Sequence, residues 1–432
     1  MSTIRRIARW TLLAMLVLVL IVAAVPWWVV ARDWLDHDDY RSWLQRNVQP
    51  LDPEAPEADL AFDPSFYDHR LFLLGEIHGA AAAQVVDLAM MKHLNRRAGV
   101  RWIMAELDYS QAERFNAFLE TGDESLVRPV FDAWLARSAQ WGNAQHFDKL
   151  RALREYNRSL PGERRLRYFG VDRVHDIDTA ALWLGRMLAD VDPGAADSLV
   201  HLKTLIESGW TNDAALADAL RAALDALAGE SAGRPVGIDA RAAAHLARNM
   251  LRAIEGDGRY AVVLDNIGAM VDEFGIGDEE PMYGFWGIFH VLQVPVGGAR
   301  PLAMRLRSGG PFADRVASIG MIYAGSHWNL PSRLLPAAIR PESRFVDAPL
   351  TQANPYLQYL RGIGHALAAA GDARLALFRV AGPGSPYPAD GRLVTQTGLL
   401  TRLFPFEVEA GERMPAGHLV LVRDSPAVDA LR

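Results

Sequence analysis

Short, continuous apolar runs recur along the chain and restrict its fold more than any other feature. They cover Arg70–Gly75, Arg101–Glu106, Leu166–Val171, Tyr260–Leu264, Pro301–Leu306, Val316–Tyr323, Leu375–Val380 and His418–Val422. A strand apolar at nearly every position is buried on both faces, and longer stretches of helical character separate most of these runs. The pattern predicts an α/β fold with a mainly parallel central sheet flanked by helices, over residues 70–432. With 50% of its 432 residues hydrophobic, the chain can bury one large core or two modest ones. Between Asp192 and Ala240 it turns rich in Ala and Asp, and Asp213–Glu230 has strong helical propensity. We read about 190–240 as a helical insertion or cap over the sheet.

The N-terminus carries a separate signal. Arg5, Arg6 and Arg9 precede a run without charge from Trp10 to Ala31. As a helix that run spans roughly 33 Å, against about 30 Å for a bilayer's hydrocarbon core. Residues 1–9 are expected to be a cytoplasmic basic segment and 10–31 a single transmembrane anchor, with Trp27 and Trp28 at the outer interface. A signal peptide cut after Ala24 is the alternative, although the apolar run continues past that point. In both cases the main domain is expected to be extracytoplasmic, that is periplasmic. Residues 32–69 contain Pro50, Pro53, Pro56 and Pro64 and read as a linker or peripheral wrap.

Composition narrows the chemistry. The chain has no cysteine, which excludes disulfides, thiolate nucleophiles and cysteine-bound zinc. A net charge of −7 argues against nucleic acid; the expected partner is a small-molecule or peptide substrate. In an open α/β sheet ligands bind beyond the carboxyl ends of the strands. The first run ends in Gly75-Glu76-Ile77-His78-Gly79, the second in Glu106, the third in Asp172 with His175 following, the fourth in Asp265 and Asn266. Glu76 and His78 are alternate residues and share one face of an extended strand tip. A carboxylate beside an imidazole orients the ring and raises its proton affinity, which suits a general base or a metal ligand. A helix starting near Ala80 would aim its positive end at the same place. His290 follows the aromatic, glycine-rich stretch Tyr283–Phe289.

Each of these residues has a plainer reading. Glu76 and His78 can form a surface salt bridge, Glu106 and Asp172 can flank helix caps, Asp265 and Asn266 can make an Asx turn, and His290 can be a satisfied core histidine. His327, beside Ser326, has no nucleophile elbow around it.

At these residues the chain resembles a known group. Leu73-Leu74-Gly75-Glu76-Ile77-His78-Gly79 is similar to the opening motif of erythromycin-esterase-like proteins, and closer to the shorter Gly-Glu-x-His form of ChaN-type haem-uptake and TIKI-like relatives. Gly99–Glu106, Tyr109-Ser110, Leu119–Asp123, Tyr156–Pro161 and Tyr168–Asp172 look like the esterase-like branch, and Arg241–Asn249 loosely matches its Arg-to-Asn helix. The likeness runs over about residues 70–293. It implies that Glu76, His78, Glu106 and Asp172 surround a reaction centre in which His78 activates water against an ester or lactone. The esterases carry a His-Asn-x-His tract where this chain has Asp265-Asn266-Ile267-Gly268, and His290 is the candidate replacement.

Three functions follow as expectations. The first is a hydrolase with Glu76, His78, Glu106, Asp172 and His290 as catalytic residues. The second is a metal-assisted hydrolase in which Glu76, His78, Glu106 and His290 hold a divalent ion. The third is a haem- or other ligand-binding protein without catalysis, with His290 as axial ligand.

Overall fold

The computed structural model describes residues 33–35 and 38–431, except 190, 192–195, 231–238, 277–279, 388–391, 399–407 and 409–413. Of the N-terminal run it describes Trp10, 13–17, 19–20, Ala24, 27–28 and 30–31. Thirteen strands form among these residues: β1 (Val48–Leu51), β2 (Leu71–Glu76), β3 (Trp102–Ala105), β4 (Arg167–Gly170), β5 (Met282–Gly287), β6 (Val316–Ala324), β7 (Ser326–Pro331), β8 (Phe345–Leu350), β9 (Ala353–Asn354), β10 (Gln358–Leu360), β11 (Leu375–Arg379), β12 (Gln396–Thr397) and β13 (His418–Arg423). Eight of them make one sheet in the order β1-β11-β13-β6-β2-β5-β3-β4. The block from β13 to β4 is parallel throughout, and β11 and β1 close one side with antiparallel pairings.

Strand β2 shows what a continuous apolar run at the centre of the sheet provides. All six of its residues are buried. Phe72 and Leu74 join one hydrophobic cluster, with the helix Ala81–Ala98. Leu71 and Leu73 join another on the opposite face, with the helices Ile177–Met187 and Ala240–Glu255. Successive side chains point to opposite faces, so a strand covered on both sides needs no polar residue until it leaves the sheet. Helices at Asp197–Ser208 and Asp213–Glu230 pack as a pair and extend the second cluster. A third cluster lies around β11, β13 and the helix Ile363–Ala370, and it takes in Trp43 and Leu44 of the helix Asp38–Arg46.

Two expected strands are helices. Tyr260–Leu264 lies in the helix Arg259–Asp272, where Val263, Ile267 and Met270 are buried at helical spacing. Pro301–Leu306 is the helix Leu302–Arg307 preceded by Pro301, with Leu302 and Leu306 buried one turn apart. A five-residue apolar run does not separate strand from helix by itself; the residues three and four positions further on do. Conversely, β5 carries Gly284 and Gly287, which weaken a strand signal. Those glycines answer to crowding: a Cβ on Gly284 would stand 2.8 Å from the Met104 carbonyl oxygen.

Part of the segment read as a linker or wrap is the edge strand β1, paired with β11. Just past the N-terminal run, Asp33 is buried and bonds Arg392, the Tyr359 hydroxyl and the Gly362 amide. The membrane-spanning helix expected over 10–31 finds no support here. No helix among the described residues is long and apolar enough to cross a membrane. The basic segment 1–9 and much of the apolar run lie outside the described residues.

Candidate functional site

The carboxyl ends of β2, β5, β3 and β4, neighbours in that order, each present a polar residue to one place. Glu76 is the last residue of β2 and is buried. His78 lies two residues on, and its Nδ1 makes a short hydrogen bond to Glu76 Oε1. The other carboxylate oxygen, Oε2, is buried without a hydrogen-bond partner. The turn is then pinned. Gly79 has φ +100°, its carbonyl accepts from the Asn329 and Val428 amides, and Gln140 Nε2 donates to the His78 carbonyl.

The helix Ala81–Ala98 does begin here, but its end is occupied by the C-terminal segment. The Ala81 amide donates to the Pro426 carbonyl and the Ala82 amide to Ser425 Oγ. Those donors are therefore spent on the chain itself, and the expected anion site at this helix end is not formed.

Glu106 follows β3. Its Oε2 accepts from the Gly287 amide at 2.9 Å and its Oε1 from Arg259 Nη2 at 2.7 Å. Asp172, beyond β4, is buried and accepts from Arg259 Nε at 2.8 Å and again from Nη2. His175 Nε2 stands 3.5 Å from Oδ2, the oxygen that also takes Arg259 Nη2. His290 sits on the short helix Ile288–Val291 directly after β5. Its Nδ1 meets the Tyr260 hydroxyl at 2.7 Å, Arg259 Nη1 reaches its Nε2 at 3.3 Å, and Glu106 Oε1 lies 3.4 Å from the same nitrogen.

Gly287 is the pivot between the two histidines. A Cβ there would lie 3.3 Å from His78 Nε2 and 3.5 Å from His290 Cδ2. The structure thus brings together all five residues singled out in the sequence, Glu76, His78, Glu106, Asp172 and His290. It does not bring Asp265 or Asn266. Asp265 is exposed and paired with Arg252, while Asn266 bonds the Val171 carbonyl and Asn249 inside the fold. Their run is helical, so the strand end that completes the site is that of β5.

The electrostatics separate the two imidazoles. Burial draws the proton affinity of His78 down, but the charge and hydrogen bond of Glu76, with Glu106 further away, outweigh it and push the ring up to about 9. His290 goes the other way. Burial lowers it and Arg259 reinforces that, against the weaker pull of Glu106 and Asp172. At neutral pH His78 is an imidazolium and His290 a neutral ring. Arg259 donates to Nε2 of His290, so its proton sits on Nδ1, toward Tyr260. Asp172 is buried, which alone would raise it, but His175 and Arg259 hold it far below the usual carboxylate range. His78 keeps 32% of its side chain exposed, enough for a substrate to reach its edge.

Arg259 was not visible as a site residue. It is the first residue of its helix, where the helix dipole disfavours a cation. An Arg placed there needs carboxylates nearby, and that was the available clue. The guanidinium also weighs against a metal at this place. It fills the place between Glu106, Asp172 and His290 that a cation would take, and among the described residues no three His, Asp or Glu side chains group to hold a metal. The expected set Glu76, His78, Glu106 and His290 does not fit a divalent ion.

No family model matches the sequence, and no curated protein matches it. Solved structures match the fold. A protein from Bacillus cereus superposes with a TM-score of 0.64 at 13% identity, over 91% of this chain and 99% of the other. A succinoglycan biosynthesis protein gives 0.60 at 12% identity, over 92% and 99%. An erythromycin esterase bearing a His-to-Asn substitution, in its open conformation, gives 0.56 at 14% identity, over 89% and 99%. At these identities the likeness establishes a shared fold, the one the sequence motifs resemble.

Proposed function

We propose that this chain is a hydrolase of esters or lactones, held at the outer face of a membrane by residues 10–31. One observation carries the reading: two imidazoles flank Gly287, His78 bonded to the Glu76 carboxylate and His290 to Arg259 and the Tyr260 hydroxyl, so that their surroundings push the proton affinity of one up and of the other down. When neighbouring groups are driven apart in proton affinity, the environment assigns the acid and the base. This reverses the roles expected from the resemblance. His290 is the base and His78 the acid.

In this mechanism a water displaces the long Arg259–His290 contact and hydrogen-bonds His290 Nε2. It attacks the carbonyl carbon as its proton passes to Nε2. Glu106, 3.4 Å from that nitrogen, balances the charge that forms there. The oxyanion develops beside the His78 imidazolium. When the tetrahedral intermediate collapses, His78 gives its proton to the leaving alcohol oxygen. Ester and water become acid and alcohol, and the proton on His290 returns to His78 through water. Arg259 and Asp172 position these groups.

The fold shared with a solved erythromycin esterase supports a hydrolase, but macrolides are no better supported as substrate than other esters. The anchor rests on the sequence: the run from Trp10 to Ala31 carries no charge and, as a helix, would be long enough to span a bilayer. The test is the full chain in detergent against a panel of carboxylic esters and lactones, beside His290→Ala and His78→Ala. Both substitutions should reduce kcat by at least 10²-fold. Turnover equal to the parent's would overturn the mechanism. Alkali extraction of membranes should leave the chain in the pellet.

A further inference from the structure

The imidazole of His78 has one ring neighbour among the described residues. The indole of Trp141 packs against it, ring centres 4.7 Å apart and planes inclined at 54°. The His78 ring is then bounded on three sides: by Glu76 at Nδ1, by the space over Gly287 beside Cε1 and Nε2, and by Trp141. Trp141 is half-buried and lies in the turn between the helices Arg128–Ala136 and Ala144–Arg158.

The chain fixes that indole in place. Its ring meets Phe285 of β5 and His146 edge-on, with centres 5.7 Å from each. The Trp141 carbonyl accepts from the Asn143 amide and from His146 Nδ1. The turn that bears Trp141 is also bonded to the turn that bears His78, since Gln140 Nε2 donates to the His78 carbonyl at 2.7 Å. One further segment grips both turns. The Val428 amide donates to the Gly79 carbonyl at 2.9 Å, and the next residue, Asp429, accepts through its carbonyl from the Ala144 amide at 2.8 Å. Indole and imidazole are thus held in register by three stretches of chain and not by their own contact alone.

We propose that Trp141 is a positioning residue: its indole holds the His78 imidazolium in the orientation from which His78 protonates the leaving oxygen. This rests on the hydrolase reading and adds to it a residue that acts through His78. The hydrogen bond to Glu76 fixes one edge of the imidazole and leaves rotation about that bond free; the indole removes that freedom. The π electrons of an indole also attract a cation within about 6 Å of the ring centre, an attraction that an aliphatic side chain in the same space does not supply. The charged groups facing His78 are Glu76, Glu106 and Arg259, with the His290 ring beyond Gly287. A change at Trp141 leaves all of them in place, so its effect on His78 is separable from theirs.

The test is the titration of His78 in the full chain in detergent, followed by NMR of histidine labelled at Cε1, with the His78 signal identified by its loss in His78→Ala. Tryptophan carrying one to four fluorines is placed at position 141, which drains the π cloud while nearly keeping the shape. The parental midpoint, near 9, should fall with each added fluorine, by about half a unit in all. Trp141→Leu should show the same lower midpoint and lose about 10-fold in kcat toward esters, and Trp141→Phe, which restores an aromatic ring, should recover most of both. Circular dichroism checks that each variant is folded. A midpoint that does not respond to fluorination, or a folded Trp141→Leu with parental kcat, would each overturn the assignment. The fluorinated chains keep the native packing, so their titration decides even where Trp141→Leu does not fold. Titration needs no turnover. A fluorine-dependent midpoint in a chain that cleaves no ester keeps the Trp141–His78 pairing and loses the hydrolase; ester cleavage with midpoint and kcat indifferent to the ring loses Trp141 alone.

Discussion

Arg259 carries one positive charge and shares it among Glu106, Asp172 and His290. Its planar fork does what a point charge on a flexible stem does not: Nε and Nη2 grip Asp172 while Nη2 also reaches Glu106 and Nη1 reaches the imidazole. Arg259→Lys keeps the charge and loses the simultaneous grip. We expect kcat to fall by roughly 10²-fold with secondary structure retained, measured by steady-state kinetics beside circular dichroism. A lysine variant with parental kcat would show that the geometry of the fork is irrelevant. Glu76→Gln tests the other side of the site. Glu76 is what holds the His78 imidazolium, so its removal should move the His78 titration from about 9 down toward the ordinary value near 6.5. With His78 as acid, the alkaline limb of the kcat/KM profile moves to lower pH by the same amount. If His78 were the base, parental activity would instead climb through pH 9, and one pH profile separates the two.

Among the secondary-structure elements, β5 places the most of the site. Glycine at 287 is required by space, not by backbone conformation. As N-cap of the following helix it has φ −55°, open to any residue, and the nearest ring atoms leave 3.3 Å for a Cβ. Gly287→Ala presses a methyl group between the two imidazoles. It should lower kcat/KM by about 10-fold or more while leaving thermal stability close to the parent's, read by kinetics and by differential scanning calorimetry. A large drop in Tm with unchanged activity per folded molecule would point to packing instead. The same strand marks where the sequence stopped being legible. β2, β3 and β4 announced themselves as apolar runs ending in an acid, and Glu76, His78, Glu106 and Asp172 were readable from that rule. β5 ends in no acid and is broken by two glycines, so its role was assigned to Tyr260–Leu264, whose helical partners Ile267 and Met270 lie just beyond the apolar run. His290 was found through its aromatic neighbours rather than through its strand. Arg259 was hidden because its function depends on three segments that meet only after folding, and nothing local to Gly258-Arg259 names its partners.

At the scale of the whole molecule, the histidines set how stability depends on pH, and the signs follow from which state binds the proton. Burial depresses His93, with Arg96 and Arg97 adding to it, to about 4; burial and Arg248 depress His245 to about 3; burial and Arg379 depress His418 to about 4. These rings remain neutral in the fold while an unfolded chain takes up protons below about 6.5, so stability is lost as pH falls from 6.5 toward 4. Asp172, held below the usual carboxylate range, adds to that loss only below about pH 4, where the unfolded carboxyl is protonated first. His78 has the opposite sign. Its folded ring binds the proton more tightly than the unfolded one, so its contribution is complete below 6.5 and is lost as pH rises through about 9. The two slopes meet near pH 6.5, where the folded state should be most stable. Denaturant titrations at pH 4.5, 6.5 and 9.5 should show the acid side lower by several kcal/mol and the alkaline side by about 1–2 kcal/mol, the latter reduced because the His78 ring is partly solvated. In Glu76→Gln the alkaline decline should flatten while the acid decline persists, since His93, His245 and His418 are far from that carboxylate in the chain and none draws its shift from it. An unchanged alkaline slope in that variant would mean that the Glu76–His78 pair does not bind its proton in the fold, and the acid role given to His78 would go with it.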